Sequence, residues 1–453
     1  MTSKSSSQTL IAANQPGQAN AVSETIKPKW QNWSGFVTAN PQMRVAPDDL
    51  DALAMVVKNA PGPIRIAGAG HSFTPLVKSE GTIVSLEKFS GLKSHQTEEL
   101  LARVGAGTQI GTLAKLLHGV GQALPNMGDI DRQAFGGGLG TATHGSGIKL
   151  GAYHTQLEAI QLVDGLGAVR EYAKKTDGDV INAMGASLGA FGAITEVTIR
   201  NVADYKLHRR RWTAPVAEVL DQFEQVMSAH RSAEFFYIPF SGRALMLASD
   251  ISEGEPGVRP HDSDDDAVAT LKTLRNYIGW FPWLRRRLIG TAIAKLPDED
   301  YVEHWLNVYP SDRKTKFNEM EYHLPFEEGA KALRDIITLL ETRFPEVYFP
   351  IEVRVVAADD VWLSPFYKRR TCSIAIHHDA AEDPLPFFAA AESIFRIYGG
   401  RPHWGKMHNL KAKDLKGIYP RWDDAMEVRR DIDPQNRFVS PYVARLLGIE
   451  NAG

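Results

Sequence analysis

IAGAGHSF, residues 66–73, reads as the end of a short apolar strand running straight into a glycine-rich turn. A strand that feeds Gly68-Ala69-Gly70-His71-Ser72 places successive backbone N–H groups around an anion, a nest suited to a pyrophosphate. It is not the dinucleotide fingerprint, because Phe73 stands where the third glycine of G-x-G-x-x-G belongs. A nicotinamide-type Rossmann site is therefore disfavoured. Upstream, Ala46–Ala60 has a helical pattern with Asp48 and Asp49 at its start, where carboxylates favour the helix dipole, and it stops before Pro61-Gly62-Pro63. Downstream, Gly81–Leu86 and Arg103–Gly107 read as strands, and a helical pattern passes through Leu113, Leu116 and Leu117. Strands alternating with helices and turns predict an α+β unit.

Two further glycine-rich surfaces lie in the same part of the chain. Phe135–Gly147 (FGGGLGTATHGSG) holds six glycines in thirteen residues, and Gly189-Ala190-Phe191-Gly192 leads into a strand over 194–202. Such density permits close backbone approach, so the three stretches together suit one extended cofactor. The first lobe closes near residues 202–206. Beyond it, Pro350–Val356 (PIEVRVV) and Thr371–His377 alternate as strands, which puts Glu352 and Arg354 on one face.

The 453 residues exceed one ordinary core, which predicts a cofactor lobe and a substrate lobe. A net charge of −3 offers no basic field for nucleic acid. The single cysteine, Cys372, excludes an internal disulfide and a multi-cysteine metal cluster, and no metal is expected. Residues 1–29 are rich in Ser, Gln, Asn and Ala, without a signal-type apolar core, and read as a disordered tail. With no long apolar run either, a cytoplasmic protein is expected. Leu274–Leu296 combines Trp280, Phe281 and Trp283 with Arg285–Arg287, which would suit a membrane surface. Its aromatic spacing favours instead an insertion packed on the protein.

Five ordered blocks carry a resemblance: IAGAGHSF (66–73), NMGDIDRQAFGGGLGTATHGSG (126–147), Glu352–Arg354 with Leu363-Ser364-Pro365, PHWGKMHN (402–409), and Tyr419-Pro420 followed by Asp433-Pro434. Over residues 32–447 the chain resembles the sugar-lactone oxidases of the vanillyl-alcohol-oxidase flavoprotein superfamily. The resemblance implies a two-subdomain FAD-binding lobe (30–205), an α+β cap or substrate domain (206–408), and a C-terminal segment (409–453) that returns to the FAD lobe. It implies FAD bonded at its 8α carbon to His71 and held by Gly68, Ala69, Gly70, Ser72, Gly128, Asp129, Gly138, Thr141, His144, Gly145, Ser146, Gly192 and Ile194. Cys372 lies in the wrong lobe for a second link. For catalysis it implies Glu352 and Arg354 in front of the flavin, Lys406 at the flavin's pyrimidine edge, and His377 as a candidate for proton handling beside its neighbour His378.

The substrate so implied is a sugar 1,4-lactone such as L-gulono-, L-galactono- or D-arabinono-1,4-lactone, oxidised at C2 with dioxygen reduced to hydrogen peroxide and an ascorbate-type product. Gly128 aligns where family dehydrogenases carry alanine, which implies access for oxygen. Asp129 departs from the serine of alditol oxidases, which weighs against an open-chain polyol. The alternatives are an alditol oxidase, a lactone dehydrogenase with a cytochrome or quinone acceptor, and a flavin-holding subunit without turnover.

Overall fold

The computed structural model describes residues 24–25, 29–260, 264–311 and 313–450. The tail expected over 1–29 lies outside the described residues, save Lys29 and Glu24–Thr25, which forms a strand paired with Val45–Ala46.

The first of three main sheets has the order 24–25, 43–46, 82–85, 64–67, with its last three strands parallel. Parallel neighbours need a crossover, and Leu50–Asn59 supplies it. Asp49 starts this helix by accepting the Ala52 N–H at 2.8 Å. Leu53 and Val57, one turn apart, are fully buried against Val45, Ile64, Val84 and, from near the C-terminus, Phe438. Truncating either to alanine would cost about 2–5 kcal/mol. The strand Ile64–Ala67 ends where Gly70 turns the chain at φ +74, a conformation glycine enters without strain.

The second sheet is antiparallel, in the order 169–173, 157–163, 193–200, 101–105, 92–96. Ala193–Arg200 alternates buried and part-buried residues until the exposed Arg200, as a strand covered on one face should. Helices Ile110–His118 and Gly178–Met184 pack on this sheet. Arg65 fastens the two units: 1% exposed, its guanidinium donates to the carbonyls of Leu76, Leu188, Phe438 and, at 2.8 Å, Gly189.

The third sheet has eight antiparallel strands, ordered 299–304, 206–215, 243–252, 232–238, 351–356, 371–379, 317–325, 401–402. Helices Gly329–Arg343 and Leu385–Ile397 cover one face, where Tyr322 donates to Glu392 at 2.6 Å. The opposite face therefore carries the alternate residues Glu319, Glu321 and His323. Register lines these up with the neighbouring strands: Arg354 lies opposite Ser373 and Ser373 opposite His323, while Ala375 stands between Glu352 and Glu321. One polar face is thus assembled from three strands that are distant in sequence.

The stretch 274–296 packs on the protein as favoured from the sequence, but not through its aromatics. It forms parts of two helices, Asp264–Ile278 and Pro282–Ala294, joined at Gly279–Phe281 with Pro282 at the first turn of the second. Its anchors on the protein are Ile289 and Arg285, the latter 1% exposed with its guanidinium 3.8 Å from the Phe240 ring centroid. Trp280 and Trp283 are 79% and 66% exposed, because they fall on the connecting turn and the outer face. The aromatics are not core, and of the three arginines only Arg286 and Arg287 face outward, Arg286 paired with Glu341 at 2.7 Å. No helix among the described residues is long and apolar enough to cross a membrane.

Candidate active site

A cavity of about 350 Å³ lies between the first two sheets, bordered by Gly68–Ser72, Gly136–Gly138, Leu188–Gly189, Gly192 and Ile194, and at one end by His403, Gly405 and Lys406. A side chain at Gly137 would stand in open space with nothing within 4 Å, so bare backbone borders the cleft there. Three glycine-rich stretches bordering one cavity suit an extended, doubly phosphorylated cofactor such as FAD. The residues present fit that group.

The His71 loop is held from both sides. Trp33 N–H donates to Gly70 O at 2.8 Å, and Asn32 Nδ2 donates to Ser72 O at 3.0 Å. From the other side, Phe73 N–H reaches Gly405 O at 2.7 Å. The His71 ring stacks on Trp33 with centroids 5.7 Å apart, and its Nδ1 lies 3.3 Å from Ala69 O. Burial lowers its pKa, outweighing the Ala69 hydrogen bond, so the imidazole is neutral at physiological pH and keeps a nucleophilic lone pair.

Beyond Lys406 the polar face of the third sheet forms a buried cluster. Arg354 Nη2 lies 3.1 Å from Glu352 Oε2 and 3.2 Å from Glu321 Oε1. Glu321 Oε1 also lies 3.0 Å from His144 Nε2 and accepts from Ser373 Oγ at 2.5 Å. Lys406 pairs with Glu319, and His377 Nε2 is 3.7 Å from the other oxygen of that carboxylate. At the rim, Asp129 meets Arg313 at 3.2 Å.

Burial sets the charges. It pushes Glu352 up to about 8 against the pull of Arg354, helped by Asp129, Glu234 and Glu321. For Glu321 burial acts in the same sense, yet Arg354, His144 and His403 outweigh it and hold the carboxyl well below its usual range. Arg313, Arg354 and Lys406 likewise overcome burial to lower Asp129. Burial takes His403 down to about 3. At neutral pH the cluster thus holds an ionised Glu321, a fixed Arg354 cation and a mostly protonated Glu352. A cation pinned between two carboxyl groups is aimed before any substrate arrives, and Glu352 can exchange a proton near neutrality.

Of the residues singled out in the sequence, Gly68, Ala69, Gly70, His71, Ser72, Gly138, Thr141, Gly192, Ile194 and Lys406 border the cavity. Gly128, Asp129, His144, Gly145, Ser146, Glu352, Arg354 and His377 do not. Gly145 is packed so that a Cβ would come within 2.3 Å of Met127 O, and Ser146 joins Ala233 O to the Val355 N–H, tying the glycine tract to the third sheet. His144 faces Glu321. Glu352 and Arg354 are 5% and 7% exposed, so theirs is no surface ion pair. His377 joins the cluster, its Nδ1 3.0 Å from Pro350 O, whereas His378 turns toward Phe388 on the other face. Glu319, Glu321, His403 and Arg313 escaped the sequence reading. For Glu319 and Glu321 the available signal was the period-two spacing Glu319-x-Glu321-x-His323.

A family model described as D-arabinono-1,4-lactone oxidase matches residues 197–446, and a model of an FAD-binding domain matches residues 41–173. The chain is 32% identical over 435 residues to an L-gulono-1,4-lactone dehydrogenase of Mycobacterium tuberculosis (strain CDC 1551 / Oshkosh), covering 93% of this chain and 100% of the relative. It is 26% identical to the L-gulonolactone oxidase of Mus musculus over 92% of this chain and 98% of the relative. Among solved structures, a cholesterol oxidase from Brevibacterium sterolicum superposes with a TM-score of 0.79 at 16% identity, covering 96% of this chain and 100% of that one. That likeness is one of fold.

Proposed function

Because this chain belongs to the D-arabinono-1,4-lactone oxidase family, an FAD-dependent group of aldonolactone-oxidising enzymes, we propose that it oxidises the C2 carbinol of a sugar 1,4-lactone where the cleft meets the Glu352–Arg354 cluster. In this proposal FAD is linked through His71 and dioxygen is the acceptor. The observation that carries it is the buried Arg354 guanidinium, fixed by Glu352 at 3.1 Å and Glu321 at 3.2 Å beside the cleft end bordered by Lys406. When bound, FAD supplies the two-electron oxidising power.

The residues divide the remaining work. Arg354 binds the substrate oxygen and stabilises negative charge as the C2–H bond breaks. Glu352 takes the hydroxyl proton, with His377 and Glu319 as a second proton-handling pair. The lactone thereby loses one proton and one hydrogen with its electron pair, giving a 2-keto lactone that tautomerises to an ascorbate-type enediol. The electrons end on dioxygen as hydrogen peroxide. Anaerobic mixing with L-gulono-1,4-lactone tests the reading: the flavin absorbance bleaches, whereas a panel of sugars and lactones that all leave it unchanged contradicts it.

The Glu352 value gives a pH dependence with a definite sign. A carboxylate that must accept a proton works in its ionised form, so kcat/KM should rise through about pH 8 and level off above it. In Glu352→Gln that limb should vanish, with activity low and flat across the range. A limb that persists in the variant assigns the titration elsewhere.

The acceptor has a second reading, because the relative at 32% identity is named a dehydrogenase. Gly128 separates the two. An alanine Cβ there would lie 3.1 Å from His144 O, in a buried stretch that must yield to admit it. Gly128→Ala should slow reoxidation by air about tenfold, about 1.4 kcal/mol of barrier, with little change in anaerobic reduction. Parent enzyme that reoxidises slowly in air but rapidly with a cytochrome or quinone would establish the dehydrogenase. An alditol oxidase is disfavoured by Asp129, whose carboxylate is engaged by Arg313. Xylitol should reduce the flavin far more slowly than the lactone.

A further inference from the structure

We propose that His118, Asp204 and His304 form a binding site for a divalent transition-metal ion of the zinc type. One ligand atom from each lies within 4.8 Å of the other two. The residues arrive from separate places: His118 ends the helix Ile110–His118, Asp204 lies between strands 202–203 and 206–215, and His304 ends the outermost strand of the third sheet. The imidazole rings meet edge to face with centroids 4.8 Å apart. His118 Nδ1 is 3.0 Å from Asp204 Oδ1, and the indole N–H of buried Trp305 donates to the same oxygen at 2.9 Å. A carboxylate held by a hydrogen bond from a neighbouring side chain is how metal-ligating groups are commonly oriented.

An independent observation points the same way. His304 Nδ1 is buried and has no hydrogen-bond partner, although its ring is part exposed. Such an atom carries a desolvation cost that a coordinated ion would remove. Two imidazoles and a carboxylate suit zinc and its neighbours, not calcium or magnesium, which take oxygen. Tetrahedral coordination with bonds of about 2.0–2.2 Å needs ligand atoms about 3.3 Å apart. Rotation of the part-exposed His rings supplies the contraction. The carboxyl end of the His118 helix favours a cation, and water completes the shell. The site stands apart from the cleft, whereas the groupings His144–Glu321–His323 and Glu319–Glu352–His377 belong to the cluster described above. An ion here would clamp the second sheet's helix to the edge of the third sheet.

The test is calorimetric titration of zinc chloride into untagged, metal-stripped holoenzyme, beside His118→Ala, His304→Ala and Glu319→Gln, with melting curves for each. The expected result is one tight equivalent that raises the melting temperature. Both histidine variants should lose it and Glu319→Gln should keep it, while magnesium chloride gives no heat. Parent enzyme that binds no zinc overturns the proposal. So does an equivalent that survives both histidine changes or disappears only with Glu319→Gln.

Discussion

Arg354→Ala is expected to lower kcat/KM for the lactone by about a thousandfold, the scale of losing one preorganised donor to a developing oxyanion. The guanidinium sits between Glu352 and Glu321, all three nearly inaccessible to water, so no solvent dipole can replace it during the reaction. Its removal also leaves Glu321 with only His144 and Ser373 as partners. Breaking a buried pair in this way costs about 3–5 kcal/mol of stability, so flavin content and melting temperature must be measured alongside the rate. Arg354→Lys keeps the charge but loses the planar guanidinium whose Nη2 meets both Glu352 and Glu321. It should recover the fold and only part of the rate. A fall in kcat larger than any change in KM would mark a transition-state role.

His71→Ala gives an all-or-none result of another kind. Acid-precipitated parent protein should keep its yellow colour on the peptide containing His71, and the variant's precipitate should be colourless. The variant should still bind FAD, since the cleft is bordered by Gly136–Gly138, Leu188–Gly189 and the rest of the His71 loop. Turnover should fall by about tenfold, about 1.4 kcal/mol, because alkylation of the ring raises its electron affinity. The neutral, part-buried imidazole locked by Trp33 and Asn32 is what makes the bond reasonable. Colour released completely from the denatured parent would remove the link, though not the oxidation chemistry.

The sequence displayed those features that local rules encode. The strand-to-turn step at Ile66–Ser72 and the capped helix Leu50–Asn59 were legible because period and capping chemistry are local. So was the shared face of Glu352 and Arg354, since alternation along a strand needs no tertiary knowledge. Glu321 was not legible, because its meaning depends on strand 317–325 lying beside 371–379 and on His144 arriving from the glycine-rich loop. Ser146, expected at the cofactor, instead ties the glycine tract to two neighbouring strands of the third sheet, a role fixed by which backbone atoms come near it. The aromatics of the hairpin at 277–283 misled for the same reason. Spacing cannot tell an inward face from an outward turn when a buried arginine, Arg285, does the anchoring.

The most direct measurement is anaerobic stopped-flow reduction of the bound flavin by L-gulono-1,4-lactone in parent and Arg354→Ala proteins of equal flavin content. The parent's flavin should bleach in a single turnover, while the variant's stays oxidised over the same time. Equal bleaching rates in the two would contradict an active site built around Arg354.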